Sequence, residues 1–102
     1  MRKAHLHLIK WAVDRGYSVA VYGEGEYDGI HSTYKTIKEN VEACDMGQMT
    51  LVTPSLKQAG KWRSVASFAY LFDYHQEPDE IIYDREMNDI ADAWDADYSA
   101  TA

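Results

Sequence analysis

The sequence predicts an α+β domain, with about three helices packed on a small, mainly antiparallel sheet of three to four strands. Three observations carry that expectation. The chain has 102 residues, enough for one domain with a modest core. Apolar residues make up 46% of it and aromatic residues 13%, more than a disordered chain holds. Helical and strand-like periodicities alternate along it in the order α-β-α-β-β-(β)-α.

Leu6, Ile9 and Val13, with Leu8 and Ala12 beside them, form an apolar stripe at helical spacing. The stripe predicts a helix from about Arg2 to Arg15, stopped by Gly16. Tyr17 to Tyr22 is short, β-branched and aromatic, and reads as a strand buried on at least one face. Residues 23–31, GEGEYDGIH, place Gly23, Gly25 and Gly29 in one loop or tight hairpin. Ser32 or Thr33 then caps a second helix running to about Cys44, with Tyr34, Ile37 and Val41 on its inner face. After Gly47, Met49 to Thr53 is a strand stopped by Pro54. Beyond a polar turn, Lys61 to Phe72 is a long strand that pairs with it as an antiparallel hairpin. Ile81 to Tyr83 fits either a short strand or a helix start. Met87, Ile90, Ala91 and Trp94 mark an amphipathic final helix. Residues 1–98 thus form a single domain, and 99–102 a frayed tail.

Composition excludes several functions. No apolar run approaches the roughly 20 residues of a membrane helix. His5, His7, Lys10 and Asp14 interrupt what a signal peptide needs uninterrupted. A single cysteine, Cys44, forms no internal disulfide, so a reducing cytoplasm is the expected compartment. The formal charge of −7 is uneven: residues 1–51 carry −1 and residues 52–102 carry −6. Such a surface repels phosphate backbones, and direct nucleic-acid binding is not expected. It suits a basic partner protein, mimicry of nucleic-acid charge, or simple solvation.

No catalytic motif emerges. His5 and His7 lie about 200° apart on a helix, so they do not chelate one ion, and no metal or cofactor is expected. Cys44 sits near a helix end on an apolar-leaning face, the setting of a structural thiol. His31 and Ser32 are adjacent, but no GxSxG elbow surrounds them. The strand, glycine-rich loop and helix start of VAVYGEGEYDGIHSTYK resemble an anion cradle in outline, with Ser32, Thr33 and Lys35 as donors. Neither GxGxxG nor GxxxxGK[ST] is satisfied, and Glu24, Glu26 and Asp28 oppose a phosphate there; an ordinary hairpin and helix cap fit as well. Trp62 and Arg63 at a strand edge form a second place for a planar ligand and its phosphate.

The opening MRKAHLHLIKWAVDRGYSVAV, then Ser32-Thr33-Tyr34-Lys35-x-Ile37, is similar to small uncharacterised proteins of tailed bacteriophages. Trp62, Pro78-x-Glu80, Ile82-x-Asp84 and Asp92-Ala93-Trp94 extend that resemblance over most of the chain. It implies an accessory protein made early in infection that acts by binding. Such proteins inhibit a host enzyme, mimic DNA, or sequester a nucleotide signal of host immunity. The expectation is a non-enzymatic, homo-oligomeric protein that sequesters a nucleotide-like small molecule as counter-defence. Its contacts would be Tyr27, His31, Ser32, Thr33, Lys35, Trp62 and Arg63. The alternative is an acidic inhibitor that binds a host protein through residues 73–97.

Overall fold

A computed structural model describes residues 4–57, 59–72, 80–84 and 89–101. The elements are α1 (Ala4–Asp14), β1 (Ser18–Gly23), β2 (Glu26–His31), α2 (Tyr34–Glu42), β3 (Met46–Pro54), β4 (Trp62–Phe72), β5 (Glu80–Asp84) and α3 (Asp89–Thr101). All neighbouring strands pair antiparallel, in the order β2-β1-β3-β4-β5. The α+β class with an antiparallel sheet is as the sequence predicts. Of the alternatives left open, the glycine-rich stretch is the hairpin, and Ile81 to Tyr83 fall within strand β5. The difference is that the hairpin's second arm is itself a strand, β2, so the sheet has five strands and not three to four. The helix stop at Gly16 and the cap at Thr33 stand where the pattern placed them. Arg2, Lys3 and Met87, assigned to helices from the pattern, lie outside the described residues.

Strand alternation sorts the sheet into two faces. Val19 and Val21 of β1, Met49 and Leu51 of β3, and Ala66, Phe68, Tyr70 and Phe72 of β4 point to one side and are buried. There they form one core with Leu8, Ile9 and Ala12 of α1, Ile37 and Val41 of α2, and Ala91 and Trp94 of α3. Phe68 meets Trp94 edge to face, with centroids 5.4 Å apart. All three helices therefore cover the same face.

Polar side chains set the angles between helices. Trp94 Nε1 donates to His7 Nδ1 at 3.0 Å, and Trp11 Nε1 donates to the Asp97 carboxylate at 2.7 Å. Arg15 lies over the Trp11 ring, 4.1 Å from its centroid, and reaches the same Asp97. Tyr98 stacks on Trp94 with rings 11° from parallel. This packing carries α3 through Thr101, so the frayed tail expected at 99–102 is helical up to that residue. The buried His5 imidazole stands 2.6 Å from Glu42 and meets Phe72 edge-on. The two histidines of the first helix are thus placed against different elements, and no cluster of metal-ligating side chains occurs among the described residues.

Two glycines face each other across β1 and β3 in the register Gly23↔Gly47, and Gly47 also pairs with Tyr70. A Cβ on Gly47 would run into the Tyr22 carbonyl and lie 2.6 Å from the Tyr70 hydroxyl; one on Gly23 would lie 2.7 Å from Cys44 Sγ. Gly47 is the floor on which the Tyr70 ring lies, and Gly23 leaves room for Cys44 and Asp28. Gly47→Ala is expected to cost about 1–3 kcal/mol by overpacking, read as a lower urea midpoint.

Partial burial works against ionisation of Glu42. Hydrogen bonds from Lys38 and His5, with their charges, outweigh it and hold the carboxyl below the ordinary glutamate range. A carboxyl depressed in the folded state stabilises above its unfolded value and loses that contribution as pH falls through the folded one. Glu42→Gln should therefore be less stable than the parent at pH 7, by on the order of 1 kcal/mol after solvent screening. Urea titrations at a series of pH values should show the difference shrinking below about pH 4.

Candidate functional site

The second face of the sheet carries a groove of about 1170 Å³. Register arranges this face in rows, of whose residues Tyr22, Gln48, Thr50, Ser64, Ser67 and Ala69 line the groove. Tyr27, Tyr22, Gln48 and Ala69 lie abreast across four strands; Ile30, Ala20, Thr50 and Ser67 form the next row. Ser18, Val52 and Ser64 follow, with Trp62 opposite Pro54 at the far end. An extra residue in β4, at the register shift beside Leu51 and Val52, turns Ser64 back toward the groove.

A hydroxyl and amide line runs along this floor. Gln48 Nε2 donates to Thr50 Oγ1 at 3.2 Å, and Thr50 Oγ1 lies 3.1 Å from Ser67 Oγ. Thr50 and Ser67 are both buried. Tyr22 borders the groove and meets Tyr27, with ring centroids 5.3 Å apart. Glu24 and Gly25, both at positive φ, form the two-residue turn between β1 and β2 at one end. Among the described residues, Glu24 is the one charged side chain in the lining, and no lysine or arginine borders the groove.

The expected contacts divide. Tyr27, 58% exposed, stands on the groove side of β2 against Tyr22, and Trp62, 46% exposed, stands at the far end of the same face. The anion cradle does not assemble. Thr33 Oγ1 caps α2 by accepting from the Thr36 amide and donates to the Thr36 hydroxyl at 2.8 Å. Ser32 Oγ is 2.7 Å from Ser18 Oγ, and His31 bonds the Asp28 carbonyl at 2.9 Å. Lys35 lies exposed in the first turn of α2, and Arg63 beside Trp62 faces the other side of the strand. Gln48, Thr50, Ser64 and Ser67 were not among the expected contacts, although polar residues at 48 and 50 alternate along a strand otherwise rich in apolar residues.

On the helix-covered side, by the paired glycines, Tyr70, Cys44 and Asp28 converge. Tyr70 is 2% exposed, and its hydroxyl has no hydrogen-bond partner among the described residues. Burial, then the charges of Cys44, Asp28 and Glu24, push it up to about 12. Burial and the nearby Glu24, Asp28, Asp45 and Glu26 push the Cys44 thiol up as well. A thiol so placed is protonated at neutral pH, the reverse of what a nucleophile requires.

The exposed flank of α3 carries Asp89, Asp92, Asp95 and Asp97, with no basic residue in its last turn. No helix among the described residues is long and apolar enough to cross a membrane. Comparison of the chain with models of protein families, with curated proteins and with solved structures finds no match.

Proposed function

We propose that this protein acts by binding and not by turnover, holding a nucleotide-type small molecule in the groove of the helix-free sheet face. The observation that carries this reading is the Gln48–Thr50–Ser67 line of donors and acceptors beside the Tyr22–Tyr27 pair. A planar heteroaromatic base needs a π-face and a few fixed polar groups, and ribose hydroxyls need partners that both give and accept. From the Tyr22 row to the Val52 row is about 14 Å along the strands, room for a nucleoside and its phosphate. The uncharged floor favours the base and sugar. Phosphate groups would leave the groove at the Trp62 end, where Lys61 stands exposed just before β4. In the phage setting implied by the resemblance, the captured molecule is a nucleotide signal of host immunity in the bacterial cytoplasm.

Calorimetry against adenosine, adenosine monophosphate and cyclic adenine dinucleotides tests this. Saturable binding is expected, weakened about tenfold or more by Tyr22→Ala or Gln48→Ala, or about 1.4 kcal/mol. Lys10→Ala, which loses only an exposed pair with Asp14, should leave it unchanged. Silence across the whole panel overturns the reading.

One observation favours a second reading. The aspartates on the outer flank of α3 form a one-signed ridge suited to a basic groove on a host protein. Under it, a stoichiometric partner should elute between about 0.1 and 0.5 M salt, as screening shortens. Asp92→Asn with Asp95→Asn should release that partner at lower salt. Retention unaffected by either change leaves the ridge as solvation.

A further inference from the structure

We propose that two copies of this chain close their helix-free sheet faces on one another, so that the groove is half of a chamber completed by the second copy. The chamber's purpose rests on the binding reading above, but the pairing has three observations of its own.

The first is where large apolar side chains meet solvent. Four are exposed among the described residues: Leu56 lies in the turn between β3 and β4, and the other three, Tyr27, Met46 and Trp62, are 58%, 52% and 46% exposed. Register puts all three on the helix-free side, at the β2 edge, at the end of β3 and at the far end of β4. The floor between them is short: Ala20, Thr50, Ser67 and Ala69. A wet apolar rim around a low centre is the form of an association surface.

Charge is the second. Two copies at −7 each repel wherever their acidic surfaces approach. Among the described residues the groove lining holds Glu24 as its one charged side chain, whereas the aspartates of α3 lie on the helix-covered side. Of the two described faces, this is the one on which two such chains meet with the lesser repulsion. A basic protein would be drawn to α3 instead.

Extent is the third. Five strands at about 4.8 Å spacing, averaging about 25 Å in length, span about 600 Å² per copy, so side chains projecting at the two ends and the β2 edge can enclose a space between two copies.

The packing distance then says what lies between. Sheets stack about 10 Å apart. Alanine, serine and threonine side chains do not meet across that gap, whereas tyrosine, methionine and tryptophan do. Pairing therefore seals at the rim and leaves the centre hollow, with the Gln48–Thr50–Ser67 line of each copy facing that of the other. The same patch serves both partners, so the assembly closes as a two-fold dimer.

Sedimentation equilibrium on the ligand-free protein, from about 1 to about 200 µM, tests this. A mass twice 11.7 kDa is expected. Met46→Glu and Trp62→Glu change exposed side chains, so the far-ultraviolet circular dichroism should be kept while dimerisation weakens tenfold or more. Leu56→Glu, in the turn between β3 and β4, should dimerise as the parent does. A monomer at every concentration overturns the pairing, as does a dimer indifferent to both rim substitutions. The two proposals fail separately: a monomer that still binds adenosine overturns only the pairing. A rim-sensitive dimer that binds no nucleotide supports the pairing and overturns only the ligand.

Discussion

The five-stranded sheet has two faces, and the three described helices all pack on one of them. That constraint governs the molecule. Every apolar side chain the helices contribute is spent against Val19, Val21, Met49, Leu51 and the inward residues of β4. The hydrophobic gain is proportional to the area so removed from water, and nearly all of it comes from this single layer. The opposite face is built from smaller groups: Ser18, Ala20, Thr50, Val52 and Ser67 are buried there but join no apolar cluster, with hydroxyls, an amide and alanines down the middle and aromatics at the border. Because the strands are shared, each one is apolar toward the helices and polar or small toward the groove. Fold and candidate site are two sides of the same residues.

Beyond the apolar layer, a few charged or ring contacts tie the helices to one another. Asp97 gathers Trp11 and Arg15, while Glu42 gathers Lys38 and His5. Each carboxylate thus joins groups from two elements, and each leaves one face of its helix committed. The acidity that dominates the second half of the sequence is therefore only partly free: Asp97 is structural, whereas Asp89, Asp92 and Asp95 face water.

Elements with one clean period were legible from sequence. The helix α1 was legible, although its buried face is centred on Leu8, Ile9 and Ala12, and Leu6 and Val13 of the expected stripe are only half-buried. Trp62 to Phe72 marks β4, because a single buried face imposes its spacing on the residues. Strand β2 was not, since Gly25, Gly29, Glu26 and Asp28 read as loop chemistry. It pairs on one side only and is exposed along half its length, so nothing selects for an apolar alternation. The site was half legible. Tyr27 and Trp62 stood out as aromatics beside turns and do border the helix-free face. Ser32 and Thr33 stood out as donors at a helix start, but their hydroxyls are taken up by Ser18 and Thr36. Thr50 and Ser67 gave no signal, because small polar residues inside a strand become a surface only when register sets them side by side.

The edge formed by β2 limits how this sheet can grow. The strand is six residues long, carries exposed Glu26 and Asp28, and slips register where it passes Ala20 and Tyr22. Gly29, at a φ of +98°, bends its backbone away from an even ladder. An incoming strand would find neither a regular row of amides nor a neutral border. Lateral extension into fibres is thereby blocked at this edge by negative charge and irregular backbone. The chain keeps a broad, sticky-rimmed sheet face in solution without offering this border as a template for aggregation.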